Sequence, residues 1–283
     1  MLIKRKCLYV FVAASLLLFI QPAWAEKPAS NDTPWEKFSL SGGYFIANSD
    51  TDLSLGSGLG VTVSVEDLLG LDTANNVFRI DGSWRFTDNR RHKFDFTWFS
   101  FRRDGSKTVG QDFTIEDEDG NPTEILAGTL VESKFNLDIY RGRYSYSFFQ
   151  DDRMDLAFSI GVYVMPIEIG LNATGLINVD ETARFTAPLP SFGLRMDFAI
   201  TPEWFVRSNF EIFYVEIEDF TGTLYESNVA IEYIPWKHLG FGLALNVFDL
   251  GIEADGEDYP GIDFKGELNF RYTGLLLYVK MPF

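Results

Sequence analysis

The chain holds one cysteine, Cys7, and beyond residue 25 it has no apolar run long enough to cross a bilayer as a helix. Histidine is nearly as scarce, with only His92 and His238. Basic residues number 24 against 41 acidic ones, for a formal net charge of −17. Each shortage excludes something. A lone cysteine builds no disulfide framework, and Cys7 precedes the first apolar run, where a lipoprotein acylation site would not be. The acidic balance and the lack of a basic stripe argue against nucleic acid as a partner. Two histidines leave little material for general acid–base chemistry near neutral pH.

At the N-terminus, Lys4, Arg5 and Lys6 precede the apolar run Leu8 to Ile20, and Ala23-Trp24-Ala25 follows with small residues at the cleavage spacing. The run is shorter than the ~20 residues of a membrane helix, which favours a cleaved secretory signal over a retained anchor. Removal of 1–25 takes three basic residues with it, leaving a cysteine-free chain with a charge near −20. Residues 26–35 read as a short periplasmic lead, and 36–283 as one domain.

Aromatic residues make up 16% of the chain, with 27 Phe, 12 Tyr and 6 Trp. Large exposed rings are a liability on a soluble surface, but they suit a protein whose outer face meets lipid. The rings also fall in alternating runs. Met154, Leu156, Phe158, Ile160, Val162 and Val164 interleave with Asp155, Ala157, Ser159, Gly161 and Tyr163. Phe78, Ile80, Trp84 and Phe86 interleave with Arg79, Asp81, Ser83 and Arg85, and Leu239 to Val247 alternates likewise. A soluble sandwich alternates too, but over strands of about five or six residues. Here the period of two persists for the ~9–11 residues that span a bilayer.

The connections agree. Short turns at 87–90, 150–152, 201–203 and 235–238 alternate with long polar stretches at 48–76, 104–132, 166–187 and 252–262, with one tight exception near Asp219. Short turns at one end and long loops at the other describe an all-β, antiparallel up-and-down transmembrane barrel with its short turns in the periplasm. The spacing predicts ten strands, near 36–47, 77–87, 92–103, 133–149, 153–165, 188–200, 204–217, 222–235, 239–251 and 263–283. Leu59–Glu66 and Gln111–Ile115 also look like strands. They would either extend hairpins above the membrane or raise the total to twelve, and eight is the lower alternative. Asp67–Leu71 is apolar without alternation and reads as a loop tucked at the barrel mouth.

Taken together, the signal segment, the alternating strands and the ending Leu275, Leu277, Val279, Met281, Phe283 resemble the small outer-membrane β-barrel proteins of Gram-negative bacteria. The resemblance implies outer-membrane localisation, escort by periplasmic chaperones, insertion by a barrel-assembly machinery that reads this terminal pattern, and contact with outer-membrane lipids and lipopolysaccharide. No motif singles out a subfamily, and none implies a cofactor or a bound metal.

If apolar side chains face lipid, ionisable ones face the lumen. This parity selects Arg79, Asp81, Arg85, Asp95, Asp138, Arg141, Arg143, Asp155, Arg195, Asp197, Arg207, Glu211, Glu226, Glu232, Lys265, Glu267 and Arg271 as an interlocking charge lattice. A barrel of eight to ten strands leaves little free lumen for anything else. Arg102 and Arg103 fall at the outer end of a strand, where guanidinium groups suit lipopolysaccharide phosphates. Trp35, Trp84, Trp204 and Trp236 sit at strand ends as an interfacial belt. The acidic run Glu116 to Asn121 offers oxygen ligands but departs from the EF-hand pattern at Pro122 and Gly128, so it reads as a solvated loop. His92 and His238 abut periplasmic turns, the wrong end for chemistry at the cell surface.

Two strands show a change of parity. Phe264, Leu268, Phe270 and Tyr272 are even, whereas Leu275 to Met281 are odd, and a similar switch falls between Ile139 and Tyr140. A strand facing lipid with both sets needs a slip, so a β-bulge is expected near Thr273-Gly274. The leading functional reading is a plugged structural or interaction barrel displaying acidic extracellular loops. A narrow passive channel for ions or small polar solutes comes second, and an envelope enzyme third.

Overall fold

The computed structural model describes residues 33–55, 63–64, 70–110, 112–116, 122–174, 179–217, 220–259 and 262–283. The expected signal segment, most of the lead and the acidic loop beyond Glu116 lie outside the described residues.

Long alternating runs become long strands: β1 (Phe38–Leu55), β2 (Val63–Ser64), β3 (Ala74–Arg85), β4 (His92–Thr108), β5 (Phe113–Glu116), β6 (Pro122–Ile125), β7 (Leu130–Gln150), β8 (Met154–Thr174), β9 (Val179–Ala199), β10 (Trp204–Ile217), β11 (Phe220–Trp236), β12 (Leu239–Tyr259) and β13 (Ile262–Pro282). Ten of these pair antiparallel around a ring in the order β1, β3, β4, β7, β8, β9, β10, β11, β12, β13. The ring closes where β13 pairs back onto β1, from Ser39 opposite Pro282 to Leu55 opposite Gly266. Closure removes the sheet edges that a bilayer does not tolerate. The two extra strand-like segments stay out of the ring. β2 is a short pairing on β1, and β5 with β6 makes a separate hairpin, so the count is ten rather than eight or twelve.

Strand length exceeds what a membrane needs. β7, β8, β9, β12 and β13 each have 21 residues. At a rise of ~3.3 Å per residue and a tilt of ~40°, 21 residues climb about 50 Å, twice the ~25 Å of an outer-membrane apolar band. The side chains divide the wall accordingly. On β13 the outward positions Leu275, Leu277, Val279, Met281 and Phe283 are apolar and exposed, and Arg271 is the outward residue one step above Thr273. On β12 the outward apolar set ends at Val247 and gives way to Asp249, and on β7 Tyr140 gives way to Asp138.

The inward face changes at the same level, in the opposite sense. On β12 the inward Asn246 is followed by Phe248 and Leu250; on β7, Arg141 by Ile139 and Leu137; on β4, Thr97 by Phe99 and Phe101. Below the membrane surface the barrel is therefore oily outside and polar inside. Above it the same strands are polar outside and oily inside.

That inversion explains the change of parity without any slip. In β13 every even residue from Leu268 to Lys280 points inward, and pairing runs unbroken through Thr273 and Gly274 on both sides. The bulge expected there is absent. β7 likewise keeps one register against β8 from Leu130 to Ser147, through Ile139 and Tyr140, and slips only between Ser147 and Phe149. Other irregularities fall between Tyr233 and Trp236 and between Gly256 and Tyr259.

The upper wall is not uniformly laced. β9 pairs with β10 only as far up as Phe192, although it pairs with β8 along its length. Pro190 and Pro188 come next on β9, and neither has an amide hydrogen to continue a ladder. β3 meets β4 only from Arg79 to Arg85. There Gly70 and Leu71, the described end of the expected tucked loop, lie beside the gap: Gly70 has a φ of +73° and lies against Gly105, and Leu71 is buried, whereas residues 67–69 lie outside the described residues.

Candidate functional site

The lower lumen is a continuous lattice of ion pairs. At the turn end, Arg207 of β10 reaches Glu36 (2.8 Å), Glu232 of β11 (2.6 Å) and Asp197 of β9 (3.3 Å), and Lys280 of β13 reaches Glu36 (2.7 Å) and Glu232 (2.9 Å). One level up, Arg85 of β3 pairs with Asp155 (2.7 Å) and Asp197 (3.3 Å), which Arg195 also contacts. Next come Lys93 with Asp95 (2.8 Å) and Arg143 with Asp95 (3.2 Å) and Glu211 (2.7 Å). At the top, Arg141 pairs with Glu226 (2.6 Å), Tyr163 donates to Glu226, and Arg79 pairs with Asp81 (2.9 Å).

Partners match one for one. Arg79, Arg85, Lys93, Arg141, Arg143, Arg195, Arg207 and Lys280 face Glu36, Asp81, Asp95, Asp155, Asp197, Glu211, Glu226 and Glu232. Desolvating charges is costly unless geometry and hydrogen bonding are good, and here most carboxylates accept from several donors. Glu211 takes Arg143, the Tyr163 hydroxyl (3.0 Å) and the Ser191 hydroxyl (2.9 Å). The acidity of the chain therefore does not reside in this balanced lumen.

Within the lattice lies a cavity of about 110 Å³, lined by Ser39, Ser41, Asp81, Ser83, Asn209, Asn228 and Tyr278 among others. Above it, aromatic rings from different parts of the wall meet. Phe45 of β1 lies 5.7 Å from Phe99, Phe101 lies 5.5 Å from Phe270, Phe135 of β7 stacks on Phe270 at 5.7 Å, and Phe248 stacks on Tyr272 at 5.0 Å. β9 approaches β11 and β13, strands it does not pair with, to within 8 Å between Cα atoms.

Most of the lattice anticipated from parity is present, with exceptions that share one cause. Asp138 faces outward and pairs with Arg102 at 2.8 Å; Arg271 faces outward onto Asp249 at 2.8 Å; Glu267 faces outward beside Asn269. All three lie above the membrane surface, where charges belong on the outside. The side chain of Lys265 lies outside the described residues. The parity rule missed Glu36, Lys93 and Lys280. Lys93 shares its parity with Asp95, and Lys280 is even in a strand whose odd residues face lipid, so both were within reach of the rule. Glu36 precedes the first strand and gives no such signal.

The two arginines at the outer end of β4 part company. Arg102 points out and is half exposed, whereas Arg103 is buried, donating to Ser49 (3.1 Å) and Thr51 (2.5 Å) with its guanidinium 4.5 Å from the Phe135 ring centre. Trp84, Trp204 and Trp236 are exposed at strand ends, as a belt requires. Trp35 is not in that belt: it is fully buried inside the turn end. His92 bonds the Tyr144 hydroxyl at 2.7 Å, and His238 packs 5.4 Å from the ring of Phe283; both lie at the end that carries the short turns. Among the described residues no group of acidic, histidine or cysteine side chains is arranged to hold a metal.

No protein-family model matches the sequence, and no curated protein matches it. In fold, the chain is similar to the outer-membrane protease OmpT of Escherichia coli, with a TM-score of 0.53, 8% identity, and 89% of this chain and 98% of that one covered. Looser matches include Ail, the attachment invasion locus protein of Yersinia pestis (TM-score 0.34, 11% identity, 86% and 99% covered). Another is the toluene transporter TbuX of Ralstonia pickettii (0.37, 8%, 88% and 90%). The shared property is architectural: this chain has the fold of a Gram-negative outer-membrane β-barrel.

Proposed function

We propose that the protein is a plugged outer-membrane barrel, whose role is to hold acidic loops at the cell surface as an interaction platform. The observation that carries this reading is what lines the lumen at its two levels. A lattice of paired charges surrounds the small cavity of the lower half, and rings with no exposed surface, such as Phe45, Phe101, Phe248 and Phe270, crowd the upper half. The loop segments supply the platform. Across 48–76, 104–132, 166–187 and 252–262 the only basic residues are Lys107 and Arg184, against the run Glu116-Asp117-Glu118-Asp119 and many further carboxylates. With the lumen neutral by pairing, this surface carries the excess charge and suits cationic partners.

The outward cations just above the apolar band support a lipid role for the wall itself. Arg102, Lys134 and Arg184 project from β4, β7 and β9, each held by a carboxylate at 2.8–3.3 Å. Exposed guanidinium and ammonium groups there would suit lipopolysaccharide phosphates; Arg103, turned inward, does not join them. The terminal set Leu275, Leu277, Val279, Met281 and Phe283 forms one outward apolar face, the form in which an insertion machinery would read it.

Planar-bilayer recording tests the plug. Purified protein is expected to give no reproducible single-channel steps. Stable ohmic steps would overturn the reading in favour of a narrow channel.

A further inference from the structure

Trp35 is out of place for a tryptophan of an outer-membrane barrel. It precedes β1, yet none of its surface is exposed. Its indole nitrogen donates to the Asp151 carbonyl in the β7–β8 turn at 2.8 Å. Its ring lies edge-on to Phe205 of β10 at 6.5 Å, under the Arg85 guanidinium of β3 at 5.7 Å, and Arg90 of the β3–β4 turn donates to its carbonyl. One side chain thus touches points spread around the ring. The next residue, Glu36, adds ion pairs to β10 and β13 through Arg207 and Lys280. Lys37 then joins the strand ends, taking the Phe283 carbonyl on one side (3.1 Å) and the Arg85 amide on the other (2.7 Å).

We propose that Thr33–Lys37 is a stopper for the periplasmic mouth, and that it shuts the polar chamber lined by Ser39, Ser41 and Ser83 off from the periplasm. The inference rests on the plugged-lumen reading, because the aromatic layer supplies the other end of the chamber. A purely structural anchor would need to bury its ring against one strand. This one reaches opposite parts of the ring, and Glu36 beside it is held by the charges of Arg207 and Lys280.

A cysteine-accessibility measurement decides it. The chain beyond the signal segment has no cysteine, so S41C provides a single thiol in the chamber. With the full-length mature protein in nanodiscs, a hydrophilic methanethiosulfonate reagent is expected to label S41C slowly. Labelling of S41C/W35A should be at least tenfold faster, with S41C/W35F remaining slow because a phenyl ring still fills most of the gap. If W35A does not fold, S41C/W35L retains an apolar anchor too short to reach both Phe205 and Asp151, and should also label faster. Equal rates in S41C and the folded W35A or W35L variant would overturn the stopper, as would rapid labelling of S41C alone. Conductance by W35A would instead count against the aromatic layer, so the two readings fail separately.

Discussion

Arg143 of β7 and Glu211 of β10 meet across the lumen at 2.7 Å, with neither side chain more than a few per cent exposed. Glu211 also serves Tyr163 and Ser191, so it is a node rather than a partner in one bond. Removing Glu211 leaves Arg143 with Asp95 and takes one negative charge out of a balanced buried lattice, a loss on the scale of breaking a buried pair, about 3–5 kcal/mol. E211A is expected to lose stability on that scale in denaturant unfolding followed by tryptophan fluorescence. R102A, which breaks a pair whose arginine is half exposed, should cost no more than about 1 kcal/mol. Equal losses would mean that the lumen is hydrated enough to screen its charges.

The level at which the wall changes character can be located by two substitutions four residues apart on one outward face. Leu245 is half exposed within the apolar band, and Asp249 lies above it, paired to Arg271. L245R should destabilise the inserted protein by about 2–4 kcal/mol, the cost of a cation on the lipid face near mid-bilayer. D249L should change stability by no more than about 1 kcal/mol. Unfolding titrations from lipid vesicles measure both, and a large effect of D249L would place the membrane surface higher than we do.

Gly242 of β12 lies under the ring of Tyr278, and a Cβ built on it would fall 2.1 Å from the phenol carbon. The ring cannot move away without straining the 2.8 Å bond from its hydroxyl to Glu232. G242A should therefore cost about 1–3 kcal/mol by overpacking. In a Y278A background the same change should be nearly neutral, a coupling that a double-mutant cycle reads directly.

Acid should loosen the periplasmic end through Glu36. Burial alone would raise the Glu36 carboxyl, but the opposing charges of Arg207 and Lys280 outweigh it and hold the group well below the usual carboxylate range. A depressed value in the folded protein gives a stabilising contribution that is complete above the ordinary glutamate value and is lost as pH falls through the folded one. Stability, measured by denaturant unfolding, should be flat from pH 7 to about pH 5 and decline below about pH 4.5. E36Q should start lower and show less of that decline; an identical acid limb in E36Q would assign it to other carboxylates.

Strand number and turn positions were legible in the sequence because few architectures besides a membrane barrel sustain period-two alternation over bilayer-spanning length. The turns expected at 87–90 and 201–203 fall between ring strands, and those expected at 150–152 and 235–238 overlap the last residues of β7, which ends at Gln150, and of β11, which ends at Trp236. What alternation does not disclose is the medium on each side. Reading apolar residues as lipid-facing along whole strands put Asp138, Glu267 and Arg271 in the lumen and required a bulge at Thr273-Gly274. Both errors vanish once the solvent of the outer face changes from hydrocarbon to water part-way up. Trp35 was misplaced for a related reason: position near a strand end suggests a belt, but only the fold shows whether the ring turns outward or under the barrel.

The exchange of oily and polar faces also fixes how deep the protein sits. Sliding the barrel along the membrane normal by one outward position, about 7 Å along a strand, would drag Arg102, Asp138, Glu168 and Arg271 into hydrocarbon on one side or strip lipid from Leu275 and its neighbours on the other. A barrel whose outer face stayed apolar to the top would have latitude to ride up or down with the lipid around it. This one has a waterline drawn on nearly every strand, so a thicker or thinner bilayer must deform to meet the protein rather than the protein shifting to suit the bilayer.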